Sequence, residues 1–340
     1  MSELSARERD VLGRHFGCAP AGEALTRVRQ TDDTSSVFNP RTGRLHVHKH
    51  DRRKSAKQEL VFESVGSVCS TLSAGHTVKL WDLRRRLSAR ELARLQGFPE
   101  AFELPRSRAT ELFGNAVAVP VAAHACACAW DGPPGVRFLD VCAGIGGFHA
   151  AMAAVDPAAV CVGFSEVKPA AVATYDRNYP GVPNLGDATV AAWPPADVVL
   201  AGFPCQPFSR SQQARAPHEH AAFGFFEHVL RALDESGASS VVLENVGALR
   251  STGREVLERL LAGLARRGFA TDHAVLDAKE FGLPQTRKRL FLVGRVGRAP
   301  APLVRTVAGE RVTLGQILET TDAERTADGG RAPLPAGGAA

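Results

Sequence analysis

The sequence lacks the features that mark secreted and membrane-spanning chains. No run of 18 consecutive apolar residues occurs in it, whereas a membrane-spanning helix needs about 20. The first 16 residues are charged and contain none of the apolar segment that characterises a signal peptide. We therefore expect a chain that stays in the cytoplasm.

Paired cysteines are absent as well. The seven cysteines are scattered, and no two of them form a Cys-x-x-Cys pair. Disulfide frameworks and structural zinc sites usually show closely paired cysteines, so we expect reduced thiols and no metal. His46, His48 and His50 alternate and could share one face of a strand. No cysteine or carboxylate completes a zinc set there, so a polar strand face is the preferred interpretation.

Positive charge is modest in total but clustered along the chain. The formal net charge is +5, which by itself does not indicate a polyanionic partner. Residues 39–57 contain seven lysines and arginines against one aspartate, and residues 84–86 are all arginine. Clusters of this kind form either a solvated face or a nucleic-acid contact, and composition leaves both interpretations open.

Apolar runs and amphipathic segments alternate after a short segment of turn-forming residues at 129–135. That segment predicts a linker, and the alternation behind it predicts βαβ units in a doubly wound, mostly parallel α/β sheet. The predicted strands are 136–142, 159–164, 197–201, 240–243 and 290–293, and the predicted helices are 148–155, 169–178, 225–233 and 254–267.

The part of the sequence before the linker shows a different pattern of predicted elements. Ser88 and Glu91 have the spacing of a helix-opening capping box, as do Ser5 and Glu8. Residues 37–73 are typical of short strands joined by basic loops. Residues 321–340 are rich in alanine, glycine and proline, and we expect this tail to be disordered.

A glycine-rich turn follows the first predicted strand of the sheet. Gly144, Gly146 and Gly147 would let the backbone approach a ligand at a helix N-terminus, although their spacing does not fit the dinucleotide fingerprint. Glu166 ends the next strand, where a carboxylate can hold ribose hydroxyls. Asp187 could accept from an adenine amine. Tight-turn glycines and helix-capping acids remain the alternative, but together these residues favour an adenosine ligand without a pyrophosphate, for which S-adenosylmethionine is the natural candidate.

Several chemically active side chains follow later strands. Cys205 lies in a Pro-Cys-Gln-Pro loop beyond a strand, a poor place for a core residue and a good one for a nucleophile. Glu244 ends another strand and could hold or donate a proton. Gln285, Arg287 and Arg289 alternate and could present three donors on one face. An exposed basic turn is the alternative for this last set.

These motifs together resemble those of the DNA (cytosine-C5) methyltransferases. The resemblance extends over about residues 70–295, and several of its motifs are individually specific. The similar segments are Phe138–Phe148, Gly202–Ser209, Glu244–Val246, Gln285–Arg289, Arg90–Glu100 and Phe113–Val117.

The order of the motifs differs from the usual order in that family. The ninth and tenth motifs come first here, and moving residues 1–130 behind the C-terminus would restore the usual order. The chain thus resembles circularly permuted members that open inside the target-recognition region. The resulting division is a recognition region at 1–75, a motif-nine-and-ten segment at 76–130, a catalytic and cofactor-binding domain at 131–298, a return to the recognition lobe at 299–320 and a tail at 321–340.

The resemblance implies a role for each catalytic residue. Cys205 would attack C6 of cytosine, Glu244 would engage N3 and N4, and Arg289 would contact O2. Arg287 would support the catalytic loop or the thiolate. The target base would have to be flipped out of duplex DNA. The implied product is 5-methylcytosine.

The resemblance also implies binding residues. Those implied for the cofactor are Asp140, Ala143, Gly144, Ile145, Gly147, Glu166, Val167, Asp187, Gly202, Pro204, Asn115 and Val117. Those implied for DNA are Gln206, Ser209, Gln285, Arg41, Arg44, Arg52 and Arg53. The family commonly has aromatic residues at the positions of Cys142 and Val167, so we expect weaker stacking on adenine and a modest cofactor affinity.

The implied partner is duplex DNA, and the implied setting is a restriction-modification system in which a monomer acts without stable contact with an endonuclease. An RNA cytosine methyltransferase and a catalytically silent DNA-binding homologue are the alternatives. The Pro-Cys-Gln-Pro loop and the basic region favour DNA. The intact catalytic residues speak against a silent homologue, and the imperfect glycine pattern speaks against a nicotinamide dehydrogenase.

Overall fold

The computed structural model describes nine parts of the chain, and for the strands before Glu63 it describes the backbone alone. These parts are residues 28–31, 34–39, 44–49, 58–75, 77–80, 83, 85–203, 225–304 and 312–319. The capping box predicted at Ser5, the third alternating histidine at His50 and the tail at 321–340 lie outside the described residues.

Four strands of the N-terminal third form an antiparallel sheet in chain order. They are β1 (Val28–Thr31), β2 (Thr34–Asn39), β3 (Arg44–Lys49) and β4 (Gln58–Phe62). Short, consecutive antiparallel strands need only tight connections. The described part of residues 37–73 therefore agrees with the predicted short strands, and the basic segments at 40–43 and 50–57 lie outside the described residues.

A two-stranded ribbon and three helices follow this sheet. The ribbon pairs β5 (Lys79–Leu80) with β6 (Arg85–Arg86), and the helices are α1 (Ala89–Leu95), α2 (Ala109–Asn115) and α3 (Val119–Ala129). The predicted capping box is confirmed, because the Ser88 side chain accepts from the Glu91 amide while the Glu91 carboxylate accepts from the Ser88 amide.

The central sheet has six strands in the order β11-β12-β10-β9-β7-β8. Its parallel part contains β7, β8, β9 and β10, and β12 runs antiparallel to both β10 and β11. The predicted mostly parallel α/β sheet is thus confirmed. The strands are β7 (Arg137–Val141), β8 (Val160–Ser165), β9 (Val198–Gly202), β10 (Ser240–Val246), β11 (Phe269–Asp277) and β12 (Lys288–Val296).

Helices cover both faces of this sheet. One face packs under α3 and α4 (Gly147–Val155), with apolar residues of β7, β9, β10 and β12 between them. The other face packs under α6 (Phe226–Ser236) and α7 (Arg254–Arg266). The helix α5 (Pro169–Asn178) follows β8 and has the bounds that the sequence predicts. The segment predicted as a linker joins α3 to β7 within one continuous core, because α3 packs closely on α4.

The N-terminal third is joined to the sheet through two short segments, residues 69–72 and residues 284–287. The Cys69 amide donates to the Pro284 carbonyl at 2.9 Å, and the Thr286 amide donates to the Cys69 carbonyl at 2.9 Å. The Leu72 amide donates to Gln285 Oε1 at 2.8 Å. We call this pair of segments the joint. It makes residues 63–130 part of the same core as the sheet.

The end of the described chain returns to the N-terminal third. The Leu314 and Gly315 amides donate to the carbonyls of Ser67 and Val65 at 2.9 and 2.7 Å. The Glu319 amide donates to Glu91 Oε1 at 2.9 Å. Residues 312–319 therefore lie between the segment before the joint and helix α1.

One stretch, Ala109–Ala129, is long and apolar enough to cross a membrane by composition alone, but 72% of its most apolar window is buried inside the protein. It contains α2 and α3, and the residues between them include the extended Ala116 and Ala118. Burial of this kind is the property of core helices.

Substituting Gly114 tests how tightly α2 packs on residues 73–74. A Cβ atom at Gly114 would lie 2.5 Å from the Ser73 carbonyl carbon and 2.6 Å from the Ala74 amide nitrogen. Helix propensity alone would make Gly114→Ala stabilising by about 1 kcal/mol, but the overlap with backbone atoms should make it destabilising by about 1–3 kcal/mol. Thermal or urea unfolding measures the sign.

Gly75→Ala is the matched control, because a Cβ atom there meets no other atom within 4 Å. Its effect on the free energy of unfolding should stay within about 0.5 kcal/mol. A stabilised Gly114→Ala protein would contradict the packing described here.

Candidate active site

The predicted site residues gather at one edge of the central sheet. The four parallel strands β7, β8, β9 and β10 end at the same edge, where open α/β sheets bind their ligands. The glycine-rich turn follows β7, Glu166 follows β8, Phe203 follows β9, and Glu244 lies near the end of β10.

The turn after β7 has an unusual backbone. Cys142, Gly144 and Gly146 have φ angles of 57°, 57° and 87°, a region that favours glycine, so Cys142 is under backbone strain. The Gly144 amide donates to Glu166 Oε2 at 3.0 Å. The turn is thereby tied to the predicted ribose-binding carboxylate.

Glu166 sits at the N-terminus of α5. Its Oε1 accepts from the amides of Val167 and Lys168, each at 2.8 Å. Asn184 brings the next loop alongside, because its side chain donates to the Glu166 carbonyl at 3.1 Å and accepts from the Gly186 amide at 2.9 Å. The loop that carries Asp187 is thereby fixed beside Glu166.

Asp187 is exposed, and its Oδ1 accepts from the Thr189 amide at 2.8 Å. The amide and hydroxyl of Thr189 hold the pKa of this carboxyl below its ordinary value. Glu166 and Asp187 thus lie on two loops that Asn184 ties together, and their part in binding an adenosine ligand stays a prediction.

Asp140 is fully buried on β7, beneath the N-terminus of α4. Neither of its carboxylate oxygens has a hydrogen-bond partner among the described residues. Burial raises the pKa of Asp140 well above its ordinary value, with the His149 backbone amide acting against the shift and the charge of Glu166 adding to it. The His149 amide, at the start of α4, is thus the polar group that acts on this buried carboxyl.

The other predicted cofactor residues differ in what they can offer. Val117 packs on the glycine turn, since a Cβ atom at Gly147 would lie 2.8 Å from Val117 Cγ2, and it also approaches Gly202. Asn115 is exposed at the end of α2, and Val167 is 63% exposed.

Ala143 and Ile145 are buried, so only their backbone can face a ligand. The Ala143 amide is already used, since it donates to the Ser165 carbonyl at 3.0 Å.

Glu244 and Arg289 form an ion pair at the carboxyl end of β10. Arg289 Nε lies 3.1 Å from Glu244 Oε1, and their side chains are 18% and 12% exposed. Burial raises the pKa of Glu244, while the positive charges of Arg289 and Arg287 act in the opposite direction. The pair combines a carboxyl group that holds its proton more tightly than usual with a partly exposed guanidinium.

Asn245, to which the sequence analysis assigned no role, ties β10 to the end of β9. Its Nδ2 donates to the Phe203 carbonyl at 3.2 Å, and the side chain is buried. Phe203 is two residues before Cys205 in the sequence. The only feature of the sequence that pointed to Asn245 was its position in the Glu-Asn-Val segment.

Arg287 and Gln285 point into the N-terminal third. Arg287 is buried and donates to the carbonyls of Leu72, Gly114 and Ala116 at 2.9, 3.2 and 2.7 Å. The Gln285 side chain is fully buried, where it accepts from the Leu72 amide and donates to the Leu95 carbonyl at 3.2 Å. The predicted alternation of these donors is confirmed. The joint encloses the Gln285 amide group in this structure, and the DNA contact expected for it stays a prediction.

Other predicted site residues lie outside the described part of the chain. These are Pro204, Cys205, Gln206, Ser209, Arg41, Arg52 and Arg53, and of Arg44 only the backbone in β3 is described. In the second basic cluster, Arg85 forms a two-point contact with Glu91 at 2.7 and 2.8 Å. Arg85 therefore serves the fold.

The pH dependence of stability tests the environment of Glu244. Because its folded-state pKa is raised, the stability that this carboxyl group contributes is present at low pH and is lost as the pH rises through the folded-state pKa. Glu244→Gln keeps a neutral group of similar shape. We expect the Tm of the unsubstituted protein to fall relative to that of Glu244→Gln as the pH is raised through this range in calorimetric scans.

Glu258→Gln is the matched control, since Glu258 pairs with Arg254 on the exposed face of α7, and exposed pairs contribute less than about 1 kcal/mol. A Tm difference between Glu244→Gln and the unsubstituted protein that is the same at every pH would contradict the buried, proton-retaining carboxyl group.

Comparison with known proteins agrees with this geometry. The family described as C-5 cytosine-specific DNA methylase matches residues 22–127 and 136–316. The Type II methyltransferase M.NlaX of Neisseria lactamica is 34% identical over 198 residues, which cover 56% of this chain and 61% of that protein. M.BsuFI of Bacillus subtilis is 38% identical over 163 residues, which cover 47% and 39% of the two chains.

A solved structure of the Entamoeba histolytica methyltransferase EhMeth is similar with a TM-score of 0.42 at 15% identity, over 49% of this chain and 54% of that chain. The matched region spans less than two thirds of the length of each of these relatives. The family match, by contrast, extends over most of the present chain and over both sides of the joint. The chain belongs to the C-5 cytosine-specific DNA methylase family.

Proposed function

We propose that the protein transfers a methyl group from S-adenosylmethionine to C5 of cytosine in a specific duplex DNA sequence. The observation that carries the proposal is the half-buried pair of Glu244 and Arg289 at the sheet edge, beside the strand that leads to Cys205. The curated relatives are Type II methyltransferases, and family membership supports the same reaction.

The residues of the sheet edge fit the proposed cofactor. Glu166 and Asp187 offer carboxylate oxygens to ribose hydroxyls and to an adenine amine. Asp140 is fully buried on β7, directly before the glycine turn, and its proposed part is to support that turn from inside the protein. S-adenosylmethionine, when bound, supplies an electrophilic methyl group.

The chain's own residues supply the rest of the chemistry. The Cys205 thiolate adds to C6 and forms an S–C6 bond, and the electron pair of the C5–C6 double bond shifts to make C5 nucleophilic. Glu244 donates to N3 during this addition, which its raised pKa favours. C5 then takes the methyl group, and S-adenosylhomocysteine leaves. Loss of the C5 proton to water, return of the N3 proton to Glu244 and cleavage of the S–C6 bond restore the ring and release the Cys205 thiolate.

Arg289 is placed to support the same base. Its guanidinium reaches the surface of the site and holds Glu244 at 3.1 Å, so one cation can orient the carboxyl group and donate to O2 of the base. A cytosine inside a duplex cannot reach this edge, and the protein must therefore flip the base.

We further propose that the chain is circularly permuted. Helix α3, which follows the motif-ten segment, leads directly into β7 through residues 130–136 and packs on α4. The other end of the described chain, at residues 312–319, lies against residues 65–67. Both features are expected if the termini of this chain lie inside the recognition region and the N- and C-termini usual in the family are joined to each other.

We propose that the N-terminal sheet and the basic segment around it recognise the DNA target sequence. Phosphates or guanines would be contacted by Arg41, Arg44, Arg52 and Arg53. Such a small region suits a short, palindromic or near-palindromic site. We propose that the protein acts as a cytoplasmic monomer, as the modification enzyme of a restriction-modification system, without stable contact with an endonuclease.

A transfer assay tests the reaction. The purified protein is incubated with tritiated S-adenosylmethionine and unmethylated DNA beside Cys205→Ser. We expect label at cytosine C5 with the unsubstituted protein and no label with the variant, because serine is too weak a nucleophile at C6. DNA containing 5-fluorocytosine should trap a covalent adduct, since fluorine at C5 cannot leave as a proton does.

Far-ultraviolet circular dichroism checks that Cys205→Ser is folded. Label found only in RNA would favour the RNA methyltransferase alternative. Transfer that persists in Cys205→Ser would remove the assigned nucleophile. Bisulfite sequencing of a host that expresses the protein then identifies the recognition sequence.

Reordering the chain tests the permutation. In one variant residues 131–340 come first and residues 1–130 follow. If the chain is permuted, this variant should fold and methylate the same sites, as bisulfite sequencing would show. A control opened inside β10, between Val242 and Leu243, should not fold because it cuts the centre of the sheet. A reordered variant that is no more stable than this control would contradict the proposal.

A further inference from the structure

Three aromatic side chains between α4 and α5 form a cluster that the proposed chemistry does not use. His149 lies on α4, Tyr175 lies on α5, and Tyr179 follows α5. The His149 and Tyr179 rings stack with centroids 3.6 Å apart at an interplanar angle of 12°. His149 Nδ1 and the Tyr175 hydroxyl are 2.8 Å apart. We call these three residues the aromatic cluster.

The aromatic cluster hydrogen-bonds to the glycine turn through Tyr179. The Tyr179 hydroxyl donates to the Gly146 carbonyl at 3.2 Å. A Cβ atom at Gly146 would lie 2.3 Å from Tyr179 Cε2, so the ring occupies the space that any larger residue would need. Gly146 is also the N-cap residue of α4 and, as a glycine, has no side chain with which to cap that helix. Tyr179 therefore fixes both the position and the orientation of this peptide.

Tyr179 itself is held from the other side. Its neighbour Asn178 accepts from the Glu103 amide at 2.7 Å and donates to the Glu103 carbonyl at 3.0 Å. At its other end α5 begins three residues after Glu166. The helix thus connects the N-terminal third, the predicted ribose-binding carboxylate and the glycine turn.

The cluster is neutral at physiological pH. Burial lowers the pKa of His149 to about 4, so the imidazole carries no charge and can stack on the phenol ring while one ring nitrogen bonds with Tyr175. Tyr175 also stacks on Phe164 with ring centroids 3.8 Å apart. A neutral, stacked and hydrogen-bonded cluster is a rigid support for the backbone that it contacts.

We propose that Tyr179 is a positioning residue for the cofactor, and that its hydroxyl group and ring hold the Gly146 peptide so that the glycine turn keeps its ligand-binding shape. The inference rests on the proposed function. It adds a residue to the site that neither the motifs nor the catalytic chemistry identifies, and it assigns the cluster to binding and not to methyl transfer.

Tyr179→Phe tests this inference, because it removes the bond to Gly146 and leaves the ring stacked on His149. The dissociation constant of S-adenosylhomocysteine, measured by isothermal titration calorimetry without DNA, should rise about fivefold, the factor that corresponds to one lost hydrogen bond of ordinary strength. In the transfer assay the KM for S-adenosylmethionine should rise by a similar factor while kcat at saturation stays unchanged.

Tyr175→Phe is the matched control. It also removes one tyrosine hydroxyl, which bonds with His149 and with the Cys161 thiol, but not with the glycine turn. We expect a lower Tm and a dissociation constant within twofold of that of the unsubstituted protein. The two variants together separate a loss of stability from a loss of positioning.

Two results would overturn the inference. One is a dissociation constant for Tyr179→Phe within twofold of that of the unsubstituted protein, and the other is equal weakening by both variants. A kcat that falls while KM stays constant would likewise place Tyr179 in the wrong role. If the unsubstituted protein itself binds no S-adenosylhomocysteine, the proposed function fails. This outcome is distinct from failure of the inference about Tyr179, because it is observed without any variant.

Discussion

The buried guanidinium of Arg287 is the interaction on which the rest of the site depends. A buried charge is costly unless it is matched by hydrogen-bond partners, and Arg287 obtains three carbonyl partners from the N-terminal third. Two of them, Gly114 and Ala116, flank Asn115 and precede Val117, which packs on the glycine turn. The central sheet and residues 114–117, which pack on the glycine turn, can therefore take their positions only together. Separate folding of the two parts would leave this cation without its partners.

Strand register determines which partners Arg287 and Arg289 contact. The two residues are two positions apart and therefore share a face of the chain at the start of β12. Arg287 reaches into the joint, whereas Arg289 reaches Glu244. The pairing of Arg289 with Val246 fixes this arrangement, and a slip of one residue would turn both cations to the α7 side of the sheet. The apolar residues Leu290 and Leu292, which pack on that side, prevent the slip.

The sequence predicted those parts of the fold in which local pattern and burial agree. The bounds of α5 were correct, and the strands of the parallel sheet lay where short apolar runs stand. Strand β11 was not predicted, because its middle residues are half-buried and include Asp272 and His273. Helices α2 and α3 were not predicted either. Their apolar residues face several neighbours at once, so they lack the one-sided period of a surface helix.

Two properties of the site could not be predicted from the sequence: whether a given side chain is buried, and which residues distant in sequence it contacts. Alternation correctly placed Gln285 with Arg287, but the same pattern describes an exposed donor and a buried one, and only packing against residues 72 and 95 distinguishes them. Asn184 escaped notice because its function, holding the Asp187 loop beside Glu166, requires contacts across 18 residues. The strained φ of Cys142 could not be predicted because the pattern at that position contains no glycine.

At the proposed cofactor site, a rigid glycine turn can compensate for a small area of contact with the adenine ring. At the two positions where the resemblance implies aromatic residues, this chain has Cys142 and Val167. Burial raises the pKa of the Cys142 thiol to about 12, and Val167 is 63% exposed. Small side chains bury less of an adenine ring and so contribute less to affinity. A site of this kind gains from binding groups that are already in place, because less entropy is lost when the ligand arrives. The stacked aromatic cluster, through the bond from Tyr179 to Gly146, is proposed to supply that order from inside the protein.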